Sequence, residues 1–380
     1  MVDTMTLLRA LMSTARLSRP TVRRSADGLP PDGAVLLDAP DHRLGPVLVA
    51  AALGDHFPAA ALLAATRESA DWESRDRYAA QLAAFARSRE EWLQRWQAAA
   101  PGDPDALLVT AELALRRAWA SPARAERLRE VGPLIDDAAA RAPHDPVPWR
   151  LALEHARGSG AAPADFEALW EQAVRRAPHH HGCHTAALRY LLAQRRHGSG
   201  PEGFDHCFDF AEQAAQDAAA GSLVRALPVR VAFARLRSAA GSGSVLGAAP
   251  EARIDAAADR AAELSAHYPA GDPWPAEARN VLAYVLVRRE RWSAAVEQFR
   301  LIGPYATSCP WSAGEEVSGA EADDPLGRFL DAREQARGMA AAGALPLARP
   351  DGRAAGAAAG RAASRVSGRG GRSRAGGHYA

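Results

Sequence analysis

Residues 276–303 read AEARNVLAYVLVRRERWSAAVEQFRLIG, and their pattern decides the fold. Leu282, Ala283 and Leu286 fall on one face of a first helix at the 3.6-residue period. Trp292 follows a charged turn, and Ala295, Phe299 and Ile302 make the apolar stripe of a second helix. Small residues at Ala283 and Ala295 let two helices approach closely, while Trp292 and Phe299 fill the space beside them. The stretch is one helix–turn–helix unit, and neither helix can bury its stripe alone.

Other parts of the chain repeat this plan. Tyr78, Leu82 and Phe85 share a helical face, Trp92 and Trp96 follow at i,i+4 spacing, and Leu108, Ala111, Leu115 and Trp119 form the next stripe. From Leu44 to Ala342 the periodicity predicts about fourteen helices. Pro and Asp punctuate them at Pro101-Gly102-Asp103-Pro104, Pro143-His144-Asp145-Pro146, Pro178-His179 and Pro269-Ala270-Gly271-Asp272-Pro273. Here the first Pro ends a helix, Asp caps the next, and the second Pro fits its first turn. Pro143 and Pro178 are 35 residues apart, as are Pro269 and Pro304, whereas Pro101 and Pro143 are 42 apart with an internal break predicted at Gly132-Pro133.

The order in 276–303, and the near-regular spacing, resemble the tetratricopeptide repeat (TPR), whose unit is about 34 residues. Asp145 to Pro178 is similar, with Trp149 early and Trp170, Ala173 and Pro178 late; Phe166 stands where the repeat carries a small residue. Leu93 to Leu223 also resembles an uncharacterised bacterial TPR-like family, a domain of unknown function. That likeness rests on Trp96, Pro101, Trp119, the Pro143–Pro146 run, Trp149, Trp170, Pro178, Tyr190 and Gly198-Ser199. The resemblance implies an all-α fold: a right-handed superhelix of antiparallel helix pairs over about residues 41–342. It implies a concave groove lined by the first helix of each unit. Arg150, Glu154, Arg189, Arg279 and Asn280 are the residues expected to face a partner peptide or helix there.

Composition agrees with an all-helical chain. It is rich in Ala, which loses no side-chain entropy in a helix, and poor in β-branched and aromatic residues. The 380 residues contain 46 basic side chains, all of them Arg. Without an ε-amine, Schiff-base chemistry, pyridoxal-phosphate attachment and the lysine-dependent phosphate loops are excluded in their usual forms. His-Glu-x-x-His and Gly-x-Ser-x-Gly are missing. Acidic pairs such as Asp136-Asp137 and Asp323-Asp324 point about 100° apart on a helix, so they read as solvated charge. Gly241–Gly247 lacks the strand, spacing and lysine of a phosphate loop and reads as a flexible joint near 241–250. The nine Trp read as core, and neither an enzyme nor a cofactor is expected.

His179, His180, His181, Cys183 and His184 form the densest set of ligand-type side chains, with His206-Cys207 further on. His180, Cys183, His184 and His206 are the weak candidates for a zinc site. Their spacing is not that of the paired motifs, and a polar loop after Pro178 explains the cluster without metal.

Formal net charge is +1, distributed unevenly. Residues 346–380 carry seven Arg and one acid, a net +6 that leaves −5 on the remainder. This tail, 343–380, has almost no apolar bulk and is expected to be disordered. Nucleic acid could be bound only through it. Residues 1–40 are expected to be weakly structured apart from a short helix at Leu7–Leu17, and Thr307 to Asp324 reads as a polar linker before a last helix around Arg328–Arg337. Three cysteines are too few for a disulfide framework. The Leu7–Met12 run, broken by Arg9, is too short for a secretory signal, and no apolar window is long enough to span a bilayer. The reading is a cytoplasmic scaffold for an unknown protein or peptide.

Overall fold

The computed structural model describes residues 28–195, 203–242, 248–312 and 323–344. One compact unit extends to Ala340; of the second, from Ala341 onward, only the end of the last helix is described. The fold is all-α. Twelve helices form six successive pairs after an opening pair, α1 (Leu44–Ala52) and α2 (Phe57–Glu68). The six are α3 (Trp72–Ala86) with α4 (Glu91–Ala99), α5 (Pro104–Trp119) with α6 (Arg124–Arg141), and α7 (Val147–Ser159) with α8 (Pro163–Arg176). They continue with α9 (His181–Arg195) and α10 (Gly203–Asp217), α11 (Leu227–Ser242) and α12 (Ala248–Ala266), and α13 (Ala276–Arg288) and α14 (Trp292–Ile302). A four-residue turn, α15 (Ser308–Trp311), and a long α16 (Pro325–Ala344) complete the helices.

The odd-numbered helices make a continuous inner row. α3 packs on α5, α5 on α7, α7 on α9, α9 on α11 and α11 on α13. Even-numbered helices flank that row. The row also curls on itself: α3 touches α7 and α9, and Arg77 of α3 donates to the Pro273 carbonyl (2.8 Å) just before α13. The core is therefore a succession of three apolar clusters along the row. This is what a stack of helix pairs predicts, since each stripe is covered by the next pair.

The unit at 276–303 forms α13 and α14 as its pattern predicts. Leu282, Ala283, Leu286, Ala295, Phe299 and Ile302 have no exposed surface, and Trp292 is half-buried. Full burial of each large side chain contributes roughly 1.5–3 kcal/mol. Asp103 caps α5, accepting from Asp105 N (2.8 Å) and Ala106 N, with Pro104 in the first turn. Before α7 the pattern is shifted: Pro146 is the N-cap, and Asp145 behind it accepts from Val147 N (2.8 Å). Asp272 instead caps the turn before α13, through Trp274 N (2.8 Å).

Four local expectations are corrected. Gly132-Pro133 does not break its unit, because α6 runs through Pro133. Gly132 has no Cβ for the proline ring to meet, so it keeps the α conformation. Residues 28–40 are not weakly structured. They form a strap in which β1 (Leu36–Leu37) pairs in parallel with β2 (Tyr305–Ala306), and Leu29 and Val35 enter the core. Asp38, in the left-handed region at φ 51°, accepts from Ser308 N (2.9 Å) and from its hydroxyl. Thr307–Trp311 is no linker: Pro310 and Trp311 are buried, and the Trp311 ring packs on Tyr284, Phe299 and Phe329. The last helix is longer than predicted. Gly241 and Ser242 close α11, while the rest of the joint to 247, the Leu7–Leu17 segment and the tail from 345 lie outside the described residues.

Candidate functional site

The inner row carries its charges in places where the sequence pattern calls for apolar residues. Arg75 shares the α3 stripe with Tyr78 and Leu82, and its side chain is fully buried. Its Nε donates to Asp145 Oδ2 (2.5 Å), and its Nη1 lies 2.7 Å from Asp105 Oδ1 and donates to the Leu63 carbonyl. One guanidinium thus ties the first turns of α5 and α7 to α3. Burial pushes the Asp145 carboxyl up, and Arg75 opposes that shift.

Next along the row, Arg150 Nη2 lies 2.6 Å from Asp76 and 2.7 Å from Glu112. Burial alone would raise Glu112, but Arg150 and Arg116 outweigh it and hold the carboxyl at about 2. Glu154, buried on α7, is shared by Arg157 and Arg189, each at 2.8 Å. α9 comes close to α3 because residue 182 is glycine: a Cβ there would overlap Asp76 Oδ2.

The histidine cluster straddles a turn and the start of α9: His179 is exposed in the turn after Pro178, His180 precedes the helix, and His181, Cys183 and His184 lie in its first turn. His180 is buried with Nδ1 3.1 Å from Cys183 Sγ and Nε2 3.3 Å from the Trp72 carbonyl; Asp76 and Glu73 stand at 3.9 and 4.0 Å. Burial opposes its protonation, but Cys183, Asp76 and Glu73 raise it to about 10. His184 turns away, bonding the His180 carbonyl (3.0 Å) and lying against Trp170 and Phe210. His206 is exposed on α10, while Cys207 is buried with its thiol on the Gly203 carbonyl. The structure does not bring His180, Cys183, His184 and His206 together, and among the described residues no three His, Cys, Asp or Glu are placed to hold a metal ion.

Three of the five expected partner-facing residues, Glu154, Arg279 and Asn280, are buried. Arg279 is 1% exposed and makes five hydrogen bonds: to Ser265 Oγ and to the carbonyls of Ser265, Tyr268, Pro269 and Leu301, at 2.8–3.0 Å. It closes the carbonyl ends of α12 and α14. Asn280 donates to the Ala276 and Tyr305 carbonyls and accepts from Trp311 Nε1 (2.8 Å). Both sit on the α13 stripe with Ala283 and Leu286, where a buried polar group must be fully bonded.

Arg150, 12% exposed, is held by Asp76 and Glu112, and of the five Arg189 alone is open to water. Arg189 is 50% exposed with its guanidinium on Glu154 (2.8 Å), and Glu277, at the start of α13, is 44% exposed. Arg230 of α11, 2.9 Å from Glu277, and Arg189 hold the Glu277 carboxyl at about 2 against burial. Burial, then Arg230, push His181 down to about 3. The Cys309 thiol, raised to about 11 by burial and Glu277, lies within range of Arg230 and Arg189. Arg230 and Glu277 were not singled out in the sequence; His181 was read only as part of the histidine cluster. Comparison with protein-family models, curated proteins and solved structures returned no match.

Proposed function

We propose that this chain is a non-catalytic interaction scaffold of the TPR-like kind, acting in the cytoplasm and taking a partner's peptide or helix onto the inner face of the helical row. The observation that carries the reading is the pair Arg189 and Glu277. Two half-exposed charges of opposite sign stand on α9 and α13, the inner helices on either side of α11. Such a face can meet a polar segment that brings complementary charges, and the ion pairs at Arg75 and Arg150 fix the neighbouring helices α3, α5 and α7. Preorganisation of this kind favours binding, because little side-chain freedom remains to be lost.

The test is affinity capture from native lysate with the full chain and with an Arg189→Ala/Glu277→Ala variant. A chain ending at Gly343 and nuclease treatment run alongside. The scaffold reading requires a protein retained by the full and shortened chains, indifferent to nuclease, and lost from the Arg189→Ala/Glu277→Ala variant. Capture that needs the tail or is erased by nuclease sinks it and assigns function to the seven Arg of residues 346–380.

A further inference from the structure

Among the described residues four large apolar side chains are exposed, and three of them fall between residues 49 and 57: Val49 (43%), Leu53 (81%) and Phe57 (72%). Leu53 and Phe57 project from the tight turn between α1 and α2, and Val49 lies one helical turn behind Leu53. The turn is rigid. His56 stacks on Phe57 (4.4 Å between ring centroids) and on the buried Trp96 (6.1 Å), and Asp55 accepts from Phe57 N (3.0 Å). Gly54 sits at φ +83°, and any Cβ there would overlap the Arg95 guanidinium lying over it.

The charges around this tip are specific. Arg95 donates to the Gly54 carbonyl (3.2 Å) and Arg89 to the Ala52 carbonyl (3.5 Å), so two exposed guanidiniums flank the apolar pair. They also satisfy turn carbonyls that would otherwise lose water on contact with an apolar medium. Asp55 is the one acid on the turn itself; it keeps its charge while accepting from the Phe57 amide, and the two guanidiniums of Arg89 and Arg95 outnumber it.

We propose that the α1–α2 turn is a peripheral contact site for an anionic lipid bilayer, with Leu53 and Phe57 entering the headgroup–acyl boundary and Arg89 and Arg95 meeting the headgroup anions. The area favours this occupant over a protein. A stable protein–protein interface needs about 800 Å² per partner with matching shape, which a turn tip with two projecting side chains does not offer. A fluid bilayer closes around a tip without a matching surface. The contact is interfacial; no described helix is long and apolar enough to cross a membrane.

The test is cosedimentation of the full chain with vesicles of phosphatidylcholine alone and of phosphatidylcholine with phosphatidylserine. Wild-type protein should bind the phosphatidylserine vesicles, and Leu53→Ser/Phe57→Ser should lower the partition coefficient by about tenfold or more with an unchanged thermal melt. As an independent readout, Leu53→Trp should show a blue-shifted emission, quenched by brominated lipid, on the same vesicles. Absence of wild-type binding overturns the proposal, and so does equal binding by the double variant, which would place the contact elsewhere, as in the Arg-rich tail. A wild-type dimer in velocity sedimentation that the double substitution dissolves also overturns it and assigns the tip to a second copy.

Discussion

Arg75 Nε lies 2.5 Å from Asp145 Oδ2, across 70 residues of sequence, with both side chains buried. The same guanidinium reaches Asp105, so α3, α5 and α7 are locked by one cation. Arg75→Met leaves Asp145 buried without its cation and Asp105 with Arg67 alone, and unfolding by urea should show a loss of about 3–5 kcal/mol. Adding Asp105→Asn and Asp145→Asn to the same chain should recover part of that loss. A single substitution that leaves the urea midpoint in place would show that the cation is not holding these units.

Arg279 and Arg189 give the opposite pair of outcomes. Replacing Arg279 with Leu removes five hydrogen bonds that join α12, α13 and α14, and the thermal midpoint should fall by the equivalent of about 2–4 kcal/mol. Replacing the half-exposed Arg189 with Ala should change stability by less than about 1 kcal/mol. Scanning calorimetry on the two variants separates a framework arginine from one left available to a partner.

His180 makes stability depend on pH. Its folded value is raised from 6.5 to about 10, so its stabilising contribution is complete below pH 6.5 and is lost as pH rises toward 10. Chemical unfolding between those limits should show stability falling with pH, and His180→Gln should flatten that slope. Glu112 acts at the other end. Its carboxyl is held at about 2, so its contribution is present above the usual value of 4.5 and disappears as pH falls toward 2.

Two glycines of helical backbone should respond with opposite sign. Gly182→Ala puts a methyl group on Asp76 and should push α9 off α3, lowering the melting temperature by several degrees. Gly338→Ala meets nothing within 4 Å in α16 and should raise stability by about 0.5–1 kcal/mol. A Gly182→Ala chain that melts as the wild type does would show that α9 and α3 separate freely.

The local pattern by itself determined that this chain is a row of paired helices. Stripes such as Leu108, Ala111 and Leu115, and caps such as Asp103-Pro104, act over one or two turns, so neighbouring residues suffice to read them. The burial of Arg75 and Arg279 was also legible in principle. Arg75 falls in register with Tyr78 and Leu82, and Arg279 with Ala283 and Leu286, on faces that the period marks as internal. Which carboxylate or carbonyl meets each guanidinium was not legible, because an ion pair depends on distance in space, and sequence spacing carries no record of it. The tertiary structure alone decided that Leu36-Leu37 pairs with Tyr305-Ala306, that Trp311 belongs to the core, and that Glu277 meets Arg230 while Arg189 meets Glu154. Those contacts join segments up to 270 residues apart, and they form only once the inner row has curled far enough to bring its two ends together.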